Sequence, residues 1–157
     1  MLAQTPQDSF KLVLITVVGQ AFTAAGYVLE ESPSHQAAGL FRFAKPFDGG
    51  LYGYIEFQLL AYQETEWSSG MPSRFRVTLT RTDHPNPAAR SQHPQFVRRD
   101  LSVLVVKDFG VAIVPNAPYW WPFDNVDRLG KALAEAGHLV IGFGMPWLSG
   151  DLVPPAP

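Results

Sequence analysis

Eight consecutive residues limit the fold more than any others. From Arg74 to Arg81 the chain alternates without a break, with Phe75, Val77 and Leu79 on one side and Arg74, Arg76, Thr78 and Thr80 on the other. Successive side chains of an extended chain point to opposite faces, so this period of two describes a strand buried on one side only. Such a strand needs a sheet around it, and the sheet's apolar face needs a cover from elsewhere in the chain.

Two earlier segments supply neighbours. Leu40 to Ala44 sets Phe41 and Phe43 on one face before Pro46 stops it. After the Asp48-Gly49-Gly50 turn, a strand from Leu51 to Tyr62 places Ile55, Phe57, Leu59 and Ala61 toward the core and Tyr52, Tyr54, Glu56 and Gln58 away from it. Leu101 to Val106, apolar on both sides except for Ser102, predicts a central hairpin with Val111 to Val114 across a Lys107-Asp108-Phe109-Gly110 turn. Pro115 and Pro118 end the sheet. Residues 83 to 97, with Pro85, Pro87 and Pro94, read as a long irregular loop.

The cover comes from two helices. Thr5-Pro6-Gln7-Asp8 combines a capping hydroxyl, a proline suited to the first helical position and an acid at the positive helix end. Phe10, Val13, Leu14, Val17, Ala21 and Ala24 form a stripe, and Gly26 ends a helix over about residues 6 to 25. The uncharged run from Leu12 to Leu29 also raises the question of a secretory signal. Asp8 beside Lys11, and Thr16, Gly19, Gln20 and Thr23 within the run, favour an amphipathic buried helix. Asp124 caps a second helix striped by Val126, Leu129, Leu133 and Ala136, and Gly137 ends it. The expected fold is α+β, an antiparallel sheet of about five strands with an N-terminal and a C-terminal helix on one face. With 46% hydrophobic residues, the 157 residues suffice for one domain over 1–157, with loose ends at about 1–5 and 151–157.

Three motifs give a resemblance. Arg98-Arg99-Asp100-Leu101 at the start of a strand, Tyr119-Trp120-Trp121 before a helix, and the closing Gly144-Met145-Pro146-Trp147-Leu148 resemble the uncharacterised bacterial family of domains of unknown function numbered 4304. The similarity spans most of the chain. It implies a fold rather than a function, since that family brings no established catalytic residues to carry over.

Chemistry must therefore be sought in the residues. The chain has no cysteine, which removes disulfides, thiolate nucleophiles and thiolate metal sites and suits a reducing cytoplasm. No phosphate loop, dinucleotide fingerprint or serine-hydrolase elbow is present, and Gly142-Phe143-Gly144 reads as a turn. His35, His84, His93 and His138 show no short metal-ligand spacing, so neither metal nor cofactor is expected. Asp83, His84 and His93, and the acids Glu30, Glu31, Glu64 and Glu66, are best explained by solvation in loops and at strand ends.

Charge distribution is more informative. The net charge is −2, yet Arg74 to Lys107 holds seven basic residues against Asp83 and Asp100. Arg74 and Arg76 share a strand face, and antiparallel pairing is expected to bring Tyr52, Tyr54 and Glu56 beside them. Arginines and tyrosines on one face suit phosphate contact and base stacking, while the same residues also serve as ordinary cross-strand pairs on a solvated face. Arg98 and Arg99 extend the basic segment or neutralise Asp100 and Asp108. Tyr119, Trp120 and Trp121, between Pro118 and Pro122, read first as a core plug and second as the wall of a pocket, as does Trp147.

The leading expectation is a non-catalytic cytoplasmic binding domain whose polar sheet face captures an anionic protein or single-stranded nucleic acid, away from membranes. Its binding residues would be Tyr52, Tyr54, Arg74, Arg76, Arg98, Tyr119, Trp120 and Trp121. The alternative is a small-molecule binder or hydrolase with a pocket between sheet and helices lined by Tyr119, Trp120, Trp121 and Trp147. Self-association through a sheet face or edge is a third possibility.

Overall fold

A computed structural model describes residues 5–61 and 73–155. They form an α+β fold in which an antiparallel sheet carries helices on one face. The strands are β1 (Val28–Leu29), β2 (Leu40–Pro46), β3 (Tyr52–Leu60), β4 (Ser73–Thr82), β5 (Val97–Asp100) and β6 (Trp121–Phe123). The first five lie in sequence order, and β6 also pairs with β4. The expected alternation holds in β4, where Phe75, Val77 and Leu79 are fully buried. In register, Phe41 meets Phe57, Phe57 meets Val77, and Ile55 lies between Phe43 and Leu79. These side chains make the floor of the core.

The outer edge of β4 is divided. β6 takes Ser73 to Phe75 and β5 takes Thr78 to Arg81, leaving Arg76 and Val77 at the seam.

The N-terminal helix begins as expected: Thr5 Oγ1 accepts from the Asp8 amide at 3.0 Å, and the Asp8 carboxylate accepts from the Thr5 amide. It runs Pro6–Leu14, passes through a π-helical turn at Ile15–Gly19 and continues Gln20–Ala24. That turn corrects the expected stripe. Phe10, Leu14, Val18 and Phe22 are buried at strict four-residue spacing, while Val17, Ala21 and Ala24 are exposed. Four residues overshoot one α-helical turn by about 40°, so the stripe would drift around a regular helix. The wider π turn absorbs the drift and keeps the stripe on the sheet. Phe10 then packs on Phe41 and Phe75 with ring centroids 5.2 and 5.6 Å away, and Phe22 meets Phe43 edge-on. Gly26 closes the helix at φ 95°, as expected.

The expected hairpin at 101–106 and 111–114 is instead a third sheet-facing helix. It comprises Leu101–Val103 and a π-helical continuation at Leu104–Asp108, so Lys107 and Asp108 are helical, and 111–114 is not a strand. An apolar run of this length is ambiguous between a buried strand and a buried helix. Asp100 decides it: its carboxylate accepts from the amides of Ser102 and Val103, capping the helix, and Leu101, Leu104 and Val105 are buried at helical spacing. Arg98-Arg99-Asp100-Leu101 is accordingly where a strand ends and a helix starts.

The C-terminal helix is capped by Asn125, whose side chain accepts from the Arg128 amide at 2.8 Å, rather than by Asp124. Gly137 does not end it. The helix runs Val126–Leu139, through a π-helical turn at Val140–Gly144, to Met145–Ser149, and stops at Gly150 with φ 83°. Gly137 is an interior contact, since a Cβ there would lie 2.8 Å from Val18 Cγ1 on the N-terminal helix. The Gly142-Phe143-Gly144 segment is helical too. A short helix at Pro33–Ala37 and a single 3-10 turn at Asp48–Gly50 complete the described elements.

Candidate functional site

The face of the sheet opposite the helices is polar, and its register separates residues expected to meet. Arg74 lies opposite Leu60 and Arg76 opposite Gln58, whereas Tyr54 faces Thr80 and Tyr52 faces Thr82. Four residues of strand put the arginines and tyrosines roughly 13 Å apart along the sheet. The expected Arg-Tyr cluster is therefore two clusters.

The tyrosine end is covered. The Tyr54 hydroxyl donates to the Pro85 carbonyl at 3.1 Å, and Arg98 Nη1 donates to the Pro87 carbonyl at 3.0 Å. The loop after β4 thus folds back over the sheet at Pro85 and Pro87. Tyr54 is 3% exposed, Pro87 is buried, and Thr80 is fully buried with no hydrogen-bond partner for its Oγ1 among the described residues. Burial raises the Tyr54 hydroxyl above the ordinary tyrosine range. Tyr52 stays exposed beside it, with ring centroids 6.1 Å apart. Tyr54 and Arg98 anchor a loop here.

The middle of the face is a closed ion-pair network. Arg42 donates from Nε to Glu56 at 3.2 Å and from Nη1 to Glu30 at 3.3 Å, and both Arg42 and Glu56 are buried. Glu56, expected near the β4 arginines, is committed to Arg42. Two further pairs join the sheet side to the helices rather than lying on this face: Arg99 makes a two-pronged contact with Asp108, both bonds at 2.8 Å, and the Asp108 carboxylate raises its pKa. Glu31 pairs with Lys11.

The arginine end carries no such cover among the described residues. Strand alternation in and before β6 divides the aromatic triplet between the two sides of the sheet. Trp121 lies on the core side, 2% exposed, stacked on Phe75 at 5.6 Å and edge-on to Tyr119 at 5.1 Å. Trp120 lies on the polar side. Its ring is 5.0 Å from the Arg74 guanidinium carbon and 5.1 Å from that of Arg76. Arg76 is exposed, while Arg74 and Trp120 are half-buried. Among the described residues no carboxylate pairs with either arginine, and the buried Nε of Arg74 has no acceptor. Two cations against one ring, without counter-charge among the described residues, are arranged to receive an anion.

The remaining candidates do not assemble a site. Trp147 packs against the core. His84 Nδ1 and His93 Nδ1 accept the amides of Asn86 and Gln95, and His35 Nδ1 lies 3.0 Å from Ser32 Oγ. His138 is exposed on the C-terminal helix. The Ser91 hydroxyl donates to Asp83 and lowers its pKa. No group of three or more potential metal ligands occurs among the described residues, and Glu64 and Glu66 lie outside them. An open cleft of about 400 Å³ between the N-terminal helix and the Pro33–Ala37 helix includes Asp8 and Lys11, which are already occupied in capping and ion pairing. Among the described residues no helix is long and apolar enough to cross a membrane.

Both arginines and Trp120 were evident in the sequence as candidates, but not their association. The signal was the spacing of Trp121 and Trp120, which an extended chain must send to opposite faces. No family model, curated protein or solved structure matches this chain, so the site rests on its own geometry.

Proposed function

We propose that this protein is a non-catalytic, cytoplasmic interaction domain that recognises an anionic group at the surface formed by Arg74, Arg76 and Trp120. The observation that carries the reading is the pair of guanidiniums held against one indole with no carboxylate partner among the described residues. Like charges on one face repel, and an ordinary structural role would offset that repulsion with an acid, which none of the described residues supplies here. Membership of the family suggested by the three short motifs belongs to the same proposal and adds no chemistry to it.

The pocket alternative has less support. It needs Tyr119, Trp120, Trp121 and Trp147 to line one cavity, whereas Trp120 and Trp121 point to opposite sides of the sheet and Trp121 is packed on Phe75.

Nuclear magnetic resonance titration tests the reading, with a glutamate-rich peptide and an oligothymidylate as separate anionic probes. The expected result is perturbation centred on the Trp120 indole and the Arg74 and Arg76 side chains, weakening with salt and absent in Arg74→Glu plus Arg76→Glu. Perturbation that persists in a folded double variant overturns it.

A further inference from the structure

Arg74 and Arg76 are two residues apart on one strand, so their side chains leave the same face roughly 7 Å from each other. Each guanidinium is set against the Trp120 ring, at 5.0 and 5.1 Å. A guanidinium drawn to an aromatic ring through its positive charge still has N–H donors directed away from the ring, and these can grip a carboxylate. The surface therefore carries two guanidiniums rooted at a fixed spacing on β4, with part of the ordering cost of these long side chains already met by the indole.

We infer that these guanidiniums recognise an extended acidic segment of a partner protein carrying Asp or Glu at alternate positions, an inference that rests on the anion-recognition reading above. In an extended peptide alternate residues face the same side with the same roughly 7 Å repeat, so two carboxylates separated by one residue meet the two guanidiniums in register. Adjacent carboxylates point to opposite sides, and only one of them engages. The match is between the repeat of β4 and the repeat of its ligand.

Single-stranded nucleic acid offers phosphates at a comparable spacing, but its binders add stacked bases on open aromatic rings. Here the indole of Trp120 is occupied by the guanidiniums, Trp121 is in the core, and the Tyr54 hydroxyl is held by the loop at the far end of the face. The chain's net charge of −2 also opposes a long polyanion more than it opposes two carboxylates.

Fluorescence anisotropy separates these ligands on the full chain at low and near-physiological salt. The probes are two labelled peptides of identical composition, one with two glutamates separated by a serine and one with them adjacent, and a labelled oligothymidylate. The expected result is roughly tenfold tighter binding of the alternating peptide than of either other probe. Arg74→Lys plus Arg76→Lys keeps the charge but not the guanidiniums, and should erase the preference between the peptides while near-ultraviolet circular dichroism shows the fold intact. Equal affinity for the two peptides overturns the inference. So does tighter binding of the oligothymidylate; if Arg74→Glu plus Arg76→Glu abolishes that binding, the anion site itself stands. If none of the probes binds, both readings fall.

Discussion

Arg81 and Leu148, 67 residues apart, are joined by a hydrogen bond of 2.9 Å from the Arg81 guanidinium to the Leu148 carbonyl near the end of the C-terminal helix. The same guanidinium donates to Gln95 at 2.8 Å, so one side chain ties together β4, the end of the long loop and the last helical turn. Arg81→Ala removes both bonds and should destabilise the protein by about 2 kcal/mol, read from urea midpoints at unchanged slope. Arg81→Lys reaches one acceptor at a time and should recover only part of the loss. Amide exchange should quicken around residues 146–152 in the alanine variant, where Asp151 and Leu152 donate to the Pro146 carbonyl.

The contact of Gly137 with Val18 makes opposed expectations for one substitution. Alanine favours a helix over glycine by about 1 kcal/mol, but its Cβ would sit 2.8 Å from Val18 Cγ1. Overpacking should win, so that Gly137→Ala lowers stability by about 1 kcal/mol in the parent chain. In a Val18→Ala background the same change should become neutral or stabilising. A double-mutant cycle by chemical unfolding measures the coupling.

Truncating the buried pair should reveal how closely its members depend on each other. Glu56→Ala leaves Arg42 buried with only the longer contact to Glu30, and should cost about 3 kcal/mol in urea unfolding. Replacing both partners, Arg42→Met with Glu56→Leu, should cost less than removing Glu56 alone, because no unpaired charge remains.

Tyr54 connects loop closure to alkaline pH. Burial raises its pKa above that of the unfolded chain, so below pH of about 10 both states hold the proton and the full stability is present. Above that value the unfolded state ionises first, and stability falls as pH rises. Tyr27, raised in the same direction by burial, contributes likewise. Tyr54→Phe should lose about 1 kcal/mol at neutral pH through the bond to Pro85, flatten part of the alkaline decline, and expose residues 83–96 to limited proteolysis. Unfolding curves from pH 8 to 11 check the sign.

The amino-acid order made the α+β layer legible because β2, β3 and β4 each carry one unmixed apolar face, and their period needs no tertiary information. It misled wherever a segment is apolar all round. Leu101 to Val106 satisfies a strand and a helix equally, and only the carboxylate of Asp100, placed to receive two amides, distinguishes them. The N-terminal stripe shifted from Val17 and Ala21 to Val18 and Phe22 because a π-helical turn changes the period within one helix, which a constant-period reading cannot represent. The candidate site was half legible. Its arginines stand out by charge, but their partner depended on register: Arg74 pairs with Pro122 and Phe75 with Trp121, which brings Trp120 alongside. Prolines around the triplet suggested the end of a sheet, although Pro122 is tolerated on so short an edge strand.

The divided margin of β4 also bears on edge-to-edge pairing in a chain rich in β-forming aromatic residues. Its two longest described strands, β3 and β4, are interior, and the margin they would present is capped by four residues of β5 and three of β6. On the opposite side, β1 covers only two residues of β2, with the Glu30 amide bonded to the Arg42 carbonyl beyond it. Neither margin offers an incoming strand more than a few consecutive backbone groups, far less than the row that templates edge-to-edge growth. The sheet ends in fragments, and fragments nucleate poorly.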